Sequence, residues 1–258
     1  MWGIIPAAGI GSRIQPLAFS KELLPVGSYV DGPVERPRAV SEYLVERMVK
    51  AGADKICFVI SPGKSDIMDY FGGHSLSATI FYAVQEKPAG LCDAVFRALP
   101  MIPPDERVCI GLPDTVWFPQ TALADLPDRD ISLLLFPVEH PELFDAVVTA
   151  EYAEVREVQV KTPRASTNWV WGAMTIQGPV FHRLHRLWLE RKDEYLGTLI
   201  NAYLERGGKA YGFRVGESYV DVGTLHGYRE ALRILNRQPP VHLPELTSST
   251  SRSASRGA

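Results

Sequence analysis

The sequence predicts an α/β protein built on a largely parallel central sheet. Three observations carry that expectation. Apolar, β-branched runs alternate with helical patterns at short spacing through the first half of the chain, as consecutive βαβ units do. The first apolar run opens directly into a glycine-rich loop. The 258 residues are 46% hydrophobic, 10% aromatic and 22% charged, which can bury a full core and excludes a disordered chain, a collagen or a coiled coil.

Residues 2–7 are a short apolar run ending in small residues, suited to a buried strand. Residues 8–28, rich in Gly, Pro and Ser, read as a long loop. Over 38–51, Val40, Tyr43, Leu44, Met48 and Val49 fall near helical spacing and Gly52 supplies a stop. Residues 55–61 (KICFVIS) have the texture of a strand covered on both faces. A helix near 65–71, a strand at 78–84, a helix at 91–99 and a strand at 107–112 continue the alternation. Residues 131–138 form the next strong strand. Segments 146–152, 155–161 and 169–177 read as strands without long helices between them, so this part of the sheet is expected to be mixed or to carry an antiparallel flap. Helices at about 179–191 and 196–206, a strand pair near 209–222 and a helix at 225–236 close the fold. From Gln238 the composition changes. Pro239, Pro240 and Pro244 lead into TSSTSRSASRGA, and 238–258 read as a largely disordered extension.

Lys+Arg is 27 and Asp+Glu is 30, a formal net charge of −3. Such a balance makes no global electrostatic case for nucleic acid or an anionic membrane. No apolar run reaches the roughly 18–20 residues of a membrane span, and the N-terminus lacks the basic region of a signal peptide. Cys57, Cys92 and Cys109 are odd in number, lack C-x-x-C spacing and stand among apolar residues. They read as buried free thiols of a cytoplasmic protein. His182 and His185 have i, i+3 spacing but no third ligand, and the other histidines support no triad with serine.

The sharpest signal is residues 4–26, IIPAAGIGSRIQPLAFSKELLPV. Glycines just after a strand let backbone N–H groups curl round an anion. Arg13 offers a fork for phosphate oxygens, and Lys21 a mobile point charge. Ile14 breaks the dinucleotide G-x-G-x-x-G, and G-x-x-x-x-G-K-[ST] is absent. Farther on, Gln85 in V-Q-E-K-P-A-G-L both donates and accepts, which suits the imide edge of uracil or thymine. Gly90 permits close backbone approach to a base or ribose. Asp114 ends the run V-C-I-G-L-P-D, where a carboxylate at a strand's C-terminal end suits a hard cation. Asp221 lies in Y-V-D-V-G-T, and Thr224 is a good N-cap for the helix after it.

The pattern G-x-G-S-R-x-x-P-x-x-x-x-K-x-L-x-P-V resembles that of the sugar-1-phosphate nucleotidyltransferases, most of all the single-domain glucose-1-phosphate thymidylyltransferases, and the resemblance covers about residues 3–235. It implies a three-layer α/β/α Rossmann-like nucleotidyltransferase fold with a mixed, mostly parallel sheet. It implies an Mg²⁺-dependent enzyme joining a pyrimidine nucleoside triphosphate, dTTP or UTP, to a sugar 1-phosphate, with pyrophosphate released. Arg13, Lys21 and Asp114 would be catalytic. Ala8, Gly9, Gly11, Ser12, Arg13, Gln85, Pro88 and Gly90 would meet the nucleotide, and Asp114 and Asp221 would hold Mg²⁺. Ala146, Lys161, Asn168 and Gly172 would meet the acceptor. Here the chain departs from the family: Val160-Lys161-Thr162-Pro163 stands near the usual E-K-P, Ala146 replaces a glycine, and Pro113 replaces the glycine of L-G-D.

Relatives are often oligomers, so the resemblance extends to a homo-oligomer. Two other readings stay open: the same chemistry on a non-sugar phosphate or phosphonate, with CTP as a donor option, and a catalytically inactive nucleotide-binding regulator. Because the motifs run from residue 9 to residue 221, one site draws on nearly the whole chain. Residues 1–237 are therefore expected to form a single nucleotidyltransferase domain.

Overall fold

Alternation at the first strand explains the layering. A computed structural model describes residues 1–237 together with Val241–His242. In β1 (Trp2–Pro6), Ile4 and Ile5 are both fully buried, and they enter cores on opposite faces of the sheet. A strand covered on both faces needs apolar residues at every position, and each such side chain contributes about 1.5–3 kcal/mol of burial.

A hairpin follows, β2 (Pro25–Asp31) and β3 (Val34–Ala39). The loop expected over 8–28 therefore ends at residue 24. Gly32, at φ +57°, takes the turn. Helix α1 (Val40–Lys50) buries Val40, Tyr43, Leu44, Val45 and Met48, and the Glu42 carboxylate accepts from the Ala39 N–H at its start. The chain continues with β4 (Lys55–Ile60), α2 (Ser65–Phe71), β5 (His74–Ser75), β6 (Ala78–Val84), α3 (Gly90–Arg97), β7 (Val108–Gly111) and β8 (Thr115–Phe118). Then come β9 (Ile131–Pro137), β10 (Asp145–Thr149), β11 (Val155–Val160) and β12 (Trp169–Ile176). Helices α4 (Gly178–Arg191) and α5 (Leu196–Glu205), strands β13 (Tyr211–Phe213) and β14 (Ser218–Asp221) and helix α6 (Leu225–Leu235) follow.

The main sheet has ten strands. Its centre, β7-β1-β4-β6, is parallel, and the β11-β10-β12-β9 side joins it antiparallel through β12. Helices α3, α4 and α5 pack on one face and α1 and α2 on the other, giving three α/β/α layers with a mixed sheet. The pair expected at 209–222 is not a pair: β13 adds parallel to β9, while β14 runs antiparallel to β8 in a ribbon of its own. The extension expected to be disordered from 238 contains β15 (Val241–His242), which adds parallel to β2. Its other residues lie outside the described ones. The three cysteines are buried free thiols, and burial pushes Cys57 and Cys109 up to about 12. Among the described residues, no helix is long and apolar enough to cross a membrane.

Candidate active site

Strands β1, β4, β6 and β7 are parallel, so their carboxyl ends share one edge of the sheet, where ligands of open α/β folds bind. The glycine loop leaves β1 there, Gln85 follows β6, and Asp114 lies just past β7. The β8–β14 ribbon then brings in a distant segment. Asp221 stands opposite Thr115, and the Val222 N–H donates to the Asp114 carbonyl at 2.8 Å.

Four charges meet at this edge. Lys21 Nζ lies 2.5 Å from Asp114 Oδ2, and Arg13 Nη1 lies 2.9 Å from Asp221 Oδ2. Burial works against the Lys21 ammonium, but Asp114, joined by Glu22 and Asp221, outweighs it and the net shift is upward, so the side chain stays charged. Gly11, at φ +71°, makes room for it: a Cβ there would stand 2.7 Å from Lys21 Cδ. Gly9, by contrast, meets nothing within 4 Å on that side. Ala8 is buried, whereas Ser12 and Arg13 are exposed at the loop's outer surface.

Gly223 marks the place where the carboxylates converge. A Cβ built on it would be 2.8 Å from Asp221 Oδ1, 2.9 Å from Asp114 Oδ2 and 3.4 Å from Arg13 Nη2. The Gly223 N–H also donates to Asp221 Oδ1 at 2.8 Å, which orients that carboxylate. Among the described residues no cluster of three or more His, Cys, Asp or Glu is placed to hold a metal. Two carboxylates converging beside Gly223 nevertheless fit a hard divalent cation, which can take few protein ligands and complete its shell with phosphate oxygens and water. Gly223→Ala is expected to fill that place. Binding of Mn²⁺, followed by electron paramagnetic resonance, should weaken by at least about tenfold, which corresponds to about 1.4 kcal/mol. Unchanged Mn²⁺ affinity would remove this assignment.

At the β6 end, Gln85 is buried and its amide nitrogen is fully used. Nε2 donates to Asp93 Oδ2 at 2.8 Å and to the Gly90 carbonyl at 3.1 Å. A carboxylate only accepts, so Asp93 fixes the flip of the amide. Arg97 holds Asp93 in turn, at 3.2 and 3.0 Å. The group Gln85 can still offer is its carbonyl oxygen. Pro88 is exposed beside it. Gly90 has a packing reason as well. Its φ is +85°, and a Cβ would fall 2.4 Å from Glu194 Cγ and 2.8 Å from the Glu194 carbonyl. The start of α3 packs on the segment before α5, so protein fills the side a Cβ would take.

The four acceptor candidates lie on or beside the neighbouring strands β10, β11 and β12, where Ala146 stands opposite Gln159 and Val170. Ala146 is fully buried in β10, and Gly172 is a bulge residue of β12 lying against the Tyr219 and Phe136 rings, with a Cβ position 2.6 and 2.7 Å from them. Asn168 and Lys161 are exposed, and the Lys161 ammonium stands 4.6 Å from the Tyr195 ring centroid. The sequence reading missed Asp145. It opposes Val160 across the β10–β11 ladder, accepts from Trp171 Nε1 at 3.3 Å and interacts electrostatically with Lys161. Burial raises its carboxyl above the usual range, against the pull of Trp171 and Lys161. An acid thus stands beside Lys161 from the neighbouring strand, although none precedes it in the sequence.

A sequence profile of the nucleotidyl transferase family matches residues 2–238. The chain belongs to that family. It is 26% identical over 249 residues to the UTP–glucose-1-phosphate uridylyltransferase AglF of Haloferax volcanii, an alignment covering 92% of this chain and 98% of that protein. Its fold is similar to a UTP-bound UGPase from Acinetobacter baumannii, with a TM-score of 0.75 and 20% identity over 92% of this chain and 94% of that one. It is also similar to a protein described as a glucose-1-phosphate thymidylyltransferase from Bacillus anthracis, solved with sucrose. There the TM-score is 0.77 and identity 21%, over 92% and 96% of the two chains.

One further pair supports this nucleotidyl transferase site from below. Glu22 is 1% exposed, and both its oxygens accept from Lys64 Nζ at 2.8 Å. The same ammonium donates to the Ala7 carbonyl at 2.7 Å, at the root of the glycine loop. Neither residue carries a sequence signal of its own, because only the fold brings the β4–α2 turn under β1.

Proposed function

We propose that the protein transfers a uridylyl or thymidylyl group from UTP or dTTP to a sugar 1-phosphate, releasing pyrophosphate. The observation that supports this most is the quartet Arg13–Asp221 and Lys21–Asp114 at the mouth of the glycine loop. It holds two cations for a triphosphate and two carboxylates for a divalent cation, each sign neutralising the other. The amides of the loop over 8–13 would cradle the triphosphate, and Arg13 and Lys21 would exchange their carboxylates for phosphate oxygens. The acceptor phosphate would attack the α-phosphorus in line, with pyrophosphate leaving and no covalent enzyme intermediate. Asp114 and Asp221 would hold Mg²⁺, which when bound neutralises charge on the triphosphate. Lys161 and Asn168, with Asp145, are the side chains free to meet the acceptor. Residues 1–237 act as one catalytic domain, and the buried thiols suit a cytoplasmic setting.

The orientation of Gln85 favours uracil or thymine over cytosine. Their N3–H donates to a carbonyl oxygen, whereas the N3 of cytosine only accepts. Asp93→Asn relaxes the constraint on the flip, since an amide can also donate to the Gln85 oxygen and only the Gly90 carbonyl is left to hold the Gln85 nitrogen. The preference for UTP over CTP, as a ratio of kcat/KM values, is expected to fall about tenfold, one hydrogen bond's worth. An unchanged ratio would mean that Asp93 does not set it. The whole assignment is tested by a screen of nucleoside triphosphates against sugar and non-sugar phosphates with Mg²⁺, read as pyrophosphate release. Turnover with UTP or dTTP and a hexose 1-phosphate is expected. Binding without release across all pairs would sink it.

A further inference from the structure

We propose that the cavity between the C-terminal ends of α4 and α5 binds a small phosphorylated anion. It has a volume of about 290 Å³, near the lower end of small-molecule pockets, about 300–1,000 Å³. Arg183, Arg186 and Glu190 line it from α4, at spacings that put them on one helix face. Arg206 and the Gly207–Gly208 turn line it from the end of α5. The carboxylate in the lining, Glu190, is matched by Arg206 at 2.8 Å. Arg183 and Arg186 have no ion-pair partner among the described residues, so the lining carries two guanidiniums in excess.

Tyr203 supplies the second observation. Its side chain lines the cavity and is 2% exposed, and its buried hydroxyl, beside the Arg183 guanidinium and the Lys209 backbone N–H, makes no well-formed hydrogen bond to either. Burial raises the phenol above its ordinary range, with Asp130 adding to it and Arg183 and the Lys209 N–H opposing it, so the hydroxyl remains a donor. The turn lies flat on this ring: a Cβ at Gly208 would be 2.3 Å from Tyr203 Cε1. The carbonyl end of α5 would repel an anion, but its exposed acceptors are already answered. The Gly207 N–H donates to the Leu204 carbonyl at 2.9 Å and the Gly208 N–H to that of Tyr203 at 3.0 Å. Guanidinium forks match phosphate oxygens in a way that chloride or a carboxylate-free apolar ligand does not use.

The cavity is separate from the sheet edge described above. Helix α5 packs there by its first turn, where Gly197 lies against Val158, Val160 and Asp145. Its ten residues then carry Tyr203 and Arg206 away, about 1.5 Å per residue. The inference therefore stands whether or not the proposed transfer reaction does.

Titration of the ¹⁵N-labelled full chain with inorganic phosphate at constant ionic strength tests it, read at the Gly207 and Gly208 amides. Saturable shifts are expected. Arg183→Ala/Arg186→Ala should abolish saturation. Tyr203→Phe, which keeps the ring, should weaken it several-fold. A parallel titration with uridine 5′-monophosphate separates the sources: equal affinity marks a site for the free anion, and tighter binding at these amides marks a phosphorylated metabolite. Shifts that do not saturate, or that persist in the double variant, would overturn the proposal.

Discussion

Arg13→Ala is expected to lower turnover by about 10²–10³-fold, the loss seen when one preorganised charge-stabilising donor is removed. The protein should stay folded. Arg13 is 59% exposed and its contact is a single ion pair with Asp221 at 2.9 Å, and an exposed pair of this kind contributes at most about 1 kcal/mol. Stability and turnover therefore separate at this residue. Arg36→Ala is the matched control. Arg36 is 52% exposed and pairs with Asp31, also at 2.9 Å, on the β2–β3 hairpin. Equal melting temperatures with a loss of turnover only in Arg13→Ala would support the role of charge on the triphosphate. Near-full turnover in folded Arg13→Ala would remove Arg13 from the chemistry, and with it the reading of the quartet.

The elements that the sequence reveals are those whose own side chains carry the signal. Strand β4 is apolar at five consecutive positions, Ile56 to Ile60, because both faces are covered, and α1 shows its buried stripe at helical spacing. The missed elements lack that pattern. Strand β3 has Glu35, Arg36 and Pro37 facing solvent, so no alternation survives. Strand β8 has four residues and follows Asp114 at once, and its partner β14 lies far along the chain.

The site divides the same way. Arg13, Lys21, Asp114 and Asp221 are chemically distinctive residues in distinctive spacings, and the structure brings all four together. Glycines are harder to read, since a glycine can be required by a ligand or by a neighbour. Gly11 makes way for Lys21, Gly90 for Glu194 and Gly172 for two aromatic rings. Asp145 was silent because its role depends on a cross-strand neighbour, not on sequence spacing.

Lys64→Met is expected to cost about 3–5 kcal/mol of stability, the penalty for leaving one member of a buried ion pair alone. Glu22 would remain at 1% exposure with no cation. Burial already raises its carboxyl while Lys64 opposes the shift, and loss of Lys64 would raise it further. A carboxyl whose folded pKa lies above its unfolded value loses stability as pH rises from the unfolded value through the folded one. The deficit of Lys64→Met relative to the unsubstituted protein should therefore be largest near neutrality and shrink as pH falls toward the ordinary value of 4.5. Urea midpoints across that range measure it. The double variant Glu22→Leu/Lys64→Met removes both charges and should recover most of the stability, since a buried pair replaced by apolar residues is often neutral. It should not recover turnover, because the bond from Lys64 Nζ to the Ala7 carbonyl is still missing at the root of the glycine loop. Recovery of both would show that the pair serves packing alone. Recovery of stability without turnover would show that the buried ammonium holds the loop in the shape the phosphates need.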